Sequence, residues 1–108
     1  MDKTEGRIQA DCALWAWNDK PETRGLICYN LGNSKNKIDG ARNKAMGLVK
    51  GRADMVFYWK GTATMIEFKD KDGVQSKEQI EWQSKVEAHG FKYFICRSLD
   101  EFKKIINQ

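Results

Sequence analysis

The apolar positions along this chain switch between two spacings, and the switches divide it into elements. Ile8, Cys12 and Trp15 recur at helical spacing, which predicts a first helix from about Lys3 to Trp17. Asp2 and Glu5 have the spacing of a capping box at its start. "GLICYN", Gly25 to Asn30, reads as a short apolar strand. From Asn30 to Gly51 the chain is rich in Gly, Asn and Lys, a loop with a helical turn or two around Asp39 to Met46. "ADMVFYWKGTATMIEFK" then predicts two strands joined by a two-residue turn at Lys60-Gly61. Ser76 and Gln79 form a second capping box, opening a helix that runs to His89 and is stopped by Gly90. "FKYFICR" is a further strand, and Ser98 with Glu101 caps a last helix whose Phe102, Ile105 and Ile106 share one side. Alternation of helices and strands in this order predicts an α/β domain with one central sheet.

One strand carries charges where apolar residues would be expected. In "TMIEFKDKDG" (Thr64 to Gly73), Glu67 and Lys69 lie two residues apart and so point to the same face. With Lys60 and Gly61 as the turn, Trp59 pairs with Thr62, Met55 with Ile66 and Asp54 with Glu67. Direct cross-strand partners are roughly 5 Å apart on one face. Two carboxylates at that separation repel by roughly 3 kcal/mol at an effective dielectric near 20. A cation between them relieves this. Lys69 does so in part, giving a salt-bridge cluster. A divalent metal does it better, because Mg²⁺ takes one or two carboxylates together with waters and a phosphate. In that case Lys69 would orient a water or stabilise a phosphoryl transition state.

Composition narrows the setting. The 108 residues suffice for one domain spanning 1–108, and 41% hydrophobic with 31% charged residues suits a globular fold. No apolar run approaches the ~20 residues of a membrane span, and "MDKTEGRIQ" lacks a signal-peptide core. Cys12, Cys28 and Cys96 have no zinc-like spacing and read as reduced thiols of an intracellular protein. His89 is the only histidine, which excludes any mechanism needing two. A net charge of +4 leans toward polyanions, and Lys35, Lys37, Arg42, Lys44, Lys50 and Arg52 crowd the middle of the chain. Lys50, Arg52, Lys71 and Lys77 lie close in sequence to the acidic cluster, which favours phosphate contact over idle solvation.

Asp54 followed by Glu67-Phe68-Lys69 resembles the D…(D/E)-x-K core of the PD-(D/E)XK nucleases. More narrowly, the chain is similar to the VRR-NUC (virus-type replication-repair nuclease) domains over nearly its whole length. The resemblance rests on Glu5 with Ile8-Gln9, "GLVKGRAD" (Gly47 to Asp54), "IEFK", "SKEQIEW" with Ser76, Gln79 and Trp82, and "RSLDEF". Ala53 stands where that pattern has proline, a change in backbone stiffness and not in ligands. The resemblance implies a restriction-endonuclease-like fold, with a mixed sheet of about four strands flanked by helices. It implies an endonuclease that hydrolyses DNA phosphodiesters with Mg²⁺, for which Mn²⁺ substitutes. Asp54, Glu67, the Phe68 carbonyl and Glu5 would hold metal, and Lys69 would assist the water or the transition state. Gln79 would lie at the active site. Branched DNA such as Holliday junctions, cut by a homodimer in the cytoplasm of a bacterial or phage-infected cell, is the setting it suggests.

Two rival readings share the same residues. One is a catalytically inactive nucleic-acid binding module on this fold, and the other an interaction domain in which the acids and lysine form only ion pairs. Metal dependence separates the nuclease from both. Trp82 and Val86, one turn apart, read as core, while Trp15 and Trp17 flank opposite sides of their helix and leave one exposed.

Overall fold

The period-two stretch from Met55 to Phe68 folds into the hairpin at the centre of the molecule. Its two-residue turn needs left-handed backbone at both positions, and Lys60 (φ 50°) and Gly61 (φ 79°) supply it. The register follows: strand β2 (Met55–Trp59) runs antiparallel to β3 (Thr62–Phe68), with Trp59 opposite Thr62 and Met55 opposite Ile66. Strand β1 (Ile27–Tyr29) adds antiparallel to β2, and β4 (Lys92–Cys96) adds parallel to β3. The result is a four-stranded mixed sheet in the order β1-β2-β3-β4. These relations come from a computed structural model, which describes residues 3–30 and 37–108, and only the backbone of 37–40.

Helices cover both faces of the sheet, as the parallel β3–β4 pair requires. On one face lie α1 (Glu5–Asp19) and α4 (Leu99–Ile106). Ile8, Cys12 and Ala16 of α1 meet Phe102, Ile105 and Ile106 of α4 over Met55, Phe57, Ile66, Phe68 and Cys96. On the other face lies α3 (Lys77–Ala88), where Trp82 and Val86 pack against a smaller cluster of Ala53, Val56, Met65 and Tyr93. Trp82 and Val86 are therefore core-facing, as their spacing predicts. Trp15 is partly buried against Phe102, whereas Trp17 is exposed under the Arg24 guanidinium.

Two helices differ in extent from expectation. Helix α1 starts at Glu5, not Lys3, because the Thr4 side chain accepts the Arg7 N–H and takes the N-cap position. Asp2, expected to cap it, lies outside the described residues. Within the expected loop, α2 spans Lys37–Ala45, more than two turns and longer than its Gly and Asn content predicts. Lys35 lies outside the described residues. Helix α3 begins at Ser76's capping box as expected. It ends in a Schellman arrangement at Gly90 (φ 88°), with Phe91 N–H on Val86 and Gly90 N–H on Glu87. Cys12, Cys28 and Cys96 are free thiols. Among the described residues no helix is long and apolar enough to cross a membrane.

Candidate active site

The site lies where β2 begins and β3 ends, and its central group is Glu67. Its side chain faces α3, on the same side of β3 as Met65, and is fully buried. Carboxylate Oε1 accepts from the Tyr93 hydroxyl and from Gln75 Nε2 at 3.2 Å. Gln75 Nε2 also donates to Gln83 Oε1 at 2.8 Å, so both hydrogens of that amide are in use. Oε2 accepts no hydrogen bond although it is buried. The Lys69 ammonium stands 3.9 Å from Oε2 and 3.5 Å from Glu5 Oε1. Glu5, in the first turn of α1, thus reaches the acid–lysine pair from the opposite layer of the fold.

Asp54 enters differently from the expected cross-strand pair with Glu67. The β2–β3 ladder stops at Met55 opposite Ile66. Asp54 instead continues the β1 pairing, its carbonyl accepting the Asn30 N–H at 2.8 Å. Asn30 Nδ2 fastens the neighbouring Ala53 carbonyl at 3.0 Å. The Asp54 carboxylate then takes the place of a ladder carbonyl, its Oδ2 accepting the Phe68 N–H at 2.6 Å. This holds Asp54 beside Glu67 without a regular backbone pair. Its carboxyl is pushed above the usual aspartate range, first by burial and then by the charges of Glu67 and Glu5. The Phe68 N–H and the Lys69 ammonium act in the opposite direction. Burial, and next the bond to Glu67, raise the Tyr93 hydroxyl well above an ordinary phenol, so it stays a donor.

Glu5, Asp54, Glu67 and Lys69 therefore converge, and Phe68 joins them through its backbone while its ring fills the α1/α4 core. The side chain of Gln79 has another partner. Its Oε1 accepts the Ser76 N–H at 2.8 Å, closing the capping box of α3. Gln75, Gln83 and Tyr93 are the residues that sequence reasoning missed. Lys50 and Lys71 are exposed, Arg52 is half-buried, and Lys77 reaches toward Glu81 on its own helix at 4.0 Å.

Two features fix the surroundings. Gly51 (φ 84°) lies so close to α3 that an added Cβ would sit 2.4 Å from the Glu78 carbonyl carbon and oxygen. Only glycine allows this approach, which brings the segment leading to Asp54 against the N-terminus of α3. Arg97 Nη1 donates to the carbonyls of Asp70 (2.6 Å) and Gly73 (2.9 Å), tying down the loop between Lys69 and Gln75.

Among the described residues, no group of three or more His, Cys, Asp or Glu side chains is placed to hold a metal ion. A hard divalent cation needs less from the protein, since Mg²⁺ commonly keeps several waters and binds one or two carboxylates. The buried Oε2 of Glu67, without a donor, and the neighbouring carboxyl of Asp54, disfavoured as an anion, fit such an ion.

No family model matches the sequence, and no curated protein matches it. The structure is similar to a solved chain described as a "VRR_NUC domain protein", with a TM-score of 0.81 at 19% identity. The alignment covers 100% of this chain and 88% of that one. The protein has the fold of a VRR_NUC domain: four mixed strands flanked by helices, with Asp54, Glu67 and Lys69 at one end of the sheet.

Proposed function

We propose that this chain, which carries the VRR_NUC fold, is an endonuclease that hydrolyses DNA phosphodiesters with Mg²⁺ or Mn²⁺. The observation that carries the reading is the buried Glu67 carboxylate, one oxygen without a hydrogen bond, beside Asp54, Lys69 and Glu5. A structural ion pair would be expected to satisfy both oxygens, because an unrelieved buried charge costs several kcal/mol. The likeness in fold to a VRR_NUC domain protein supports the same conclusion.

Asp54 and Glu67, with the Phe68 carbonyl and Glu5, would hold the metal. When bound, such an ion acidifies a coordinated water and offsets charge on the phosphoryl oxygens. Lys69 has a side chain only 12% exposed, and a desolvated cation stabilises developing negative charge far better than one in water. It would face the scissile phosphate and hold the attacking water in line. Asn30 and the Gly51 approach keep Asp54 in place, and Gln79 stiffens the entry to α3 beside it. Lys50, Arg52, Lys71 and Lys77 would steady flanking phosphates.

The finer reading is selectivity for branched DNA by a homodimer. Two strands of a junction need two active sites in symmetric positions, and a two-fold dimer supplies them. The test is incubation with labelled junction, flap, duplex and single-stranded DNA in Mg²⁺, Mn²⁺ or EDTA. Metal-dependent cleavage, strongest on the junction, is expected. Salt-sensitive binding without cleavage would select the inactive nucleic-acid binding module.

A further inference from the structure

The two carboxylate oxygens of Glu67 are treated unequally. Oε1 accepts both the Tyr93 hydroxyl and Gln75 Nε2, and Gln75 is itself held by Gln83. Oε2, equally buried, accepts no hydrogen bond. The groups gripping Oε1 come from different parts of the fold: Tyr93 from β4 and Gln75 from the loop before α3, the latter anchored by Gln83 of α3. Tyr93 is not free to follow the carboxylate if it turns. Tyr93 is buried, its ring packs edge-on against Trp82 at 6.1 Å, and its backbone is fixed opposite Met65 in the parallel ladder. A carboxylate gripped at one oxygen by two donors has its other oxygen aimed.

We propose that Tyr93, seconded by Gln75, is a positioning residue that fixes the rotation of the Glu67 carboxylate so that Oε2 alone is presented to a divalent cation. This rests on the reading of Glu67 as a metal ligand. Groups that hydrogen-bond a ligating carboxylate set its orientation, and losing one typically weakens metal binding by about 10- to 100-fold. Replacing Tyr93 by Phe removes the hydroxyl and leaves the ring against Trp82. Replacing Gln75 by Ala removes the second donor from a half-exposed loop position outside the core.

Mn²⁺ binding to the DNA-free protein, measured by calorimetric titration on wild type, Tyr93→Phe and Gln75→Ala, tests this. Tyr93→Phe should bind Mn²⁺ about 10- to 100-fold more weakly, and Gln75→Ala should fall between it and wild type. Without metal, Tyr93→Phe should melt within a few degrees of wild type. Unchanged Mn²⁺ affinity in the variants, with or without a lower melting temperature, would mean that these side chains only pack, and would overturn the proposal. Should Tyr93→Phe fail to fold, wild-type affinity in Gln75→Ala overturns it equally. Absence of Mn²⁺ binding by the wild type would overturn the metal reading itself, and this inference with it.

Discussion

The two faces of the sheet are built to different rules. Toward α1 and α4 lies the larger apolar cluster, in which Cys12, Ile66, Phe68, Cys96 and Phe102 are almost wholly sealed from solvent. Toward α3 the cluster is small and α3 contributes no fully buried residue, yet this face contains the buried carboxylate of Glu67 and its chain of hydrogen bonds. One layer supplies the hydrophobic stabilisation. The other, thinner layer accommodates a charge. The difference teaches that the strength of the first face permits the polarity of the second, since a buried acid is tolerated only where other packing outweighs its cost.

Substitutions can break that contrast, beginning with the largest effect. Phe102→Ala opens a cavity between Trp15 and Phe68 and should cost about 3 to 5 kcal/mol in denaturant unfolding. Trp82→Ala, on the half-exposed α3 layer, should cost clearly less; equal losses would end the distinction. Lys69→Ala should leave the fold intact and slow single-turnover cleavage by about 10²- to 10³-fold. A wild-type rate would remove Lys69 from the chemistry.

Asp54→Asn probes the charge on the thinner face. The raised Asp54 pKa means that the protonated form favours folding. That stability is fully present below the unfolded aspartate pKa and is lost as pH rises through the raised folded value. At neutral pH, without metal, Asp54→Asn should therefore melt above wild type, and the advantage should vanish below the ordinary aspartate value of 3.8. Mn²⁺ at ~100-fold its dissociation constant should stabilise wild type by about 2.7 kcal/mol, or roughly ten degrees, and the variant much less. A variant less stable than wild type, with neither responding to Mn²⁺, would identify a structural ion pair. The smallest effect is Lys50→Ala, which should reduce the salt slope of DNA binding by about one. An unchanged slope would make Lys50 a bystander.

What the sequence discloses follows the range of the interactions. The β2–β3 register was legible because a two-residue turn at Lys60-Gly61 leaves no slack, and with it came the neighbourhood of Asp54, Glu67 and Lys69. The caps at Ser76 and Ser98 were legible for the same local reason. The detail of Asp54 was not, because its carbonyl pairs with β1 and its carboxylate with Phe68, a choice made by Asn30 from the far side of α2. Tyr93 was hidden altogether. Its meeting with Glu67 depends on the parallel register of β3 and β4, which a helical crossover sets and no local spacing reveals. A tyrosine inside an apolar strand was the one available signal, since a buried hydroxyl needs a partner.

The β2–β3 hairpin closes over two residues, whereas the grip on Glu67 comes from Tyr93, 26 residues further along the chain. Local pairs form early in folding and distant ones late, because loop closure must precede them. As the chain emerges, Asp54, Glu67 and Lys69 are thus together before their geometry is set. The acid acquires a defined orientation only when the last strand docks beside it. A half-folded chain has the ingredients of the site without its alignment.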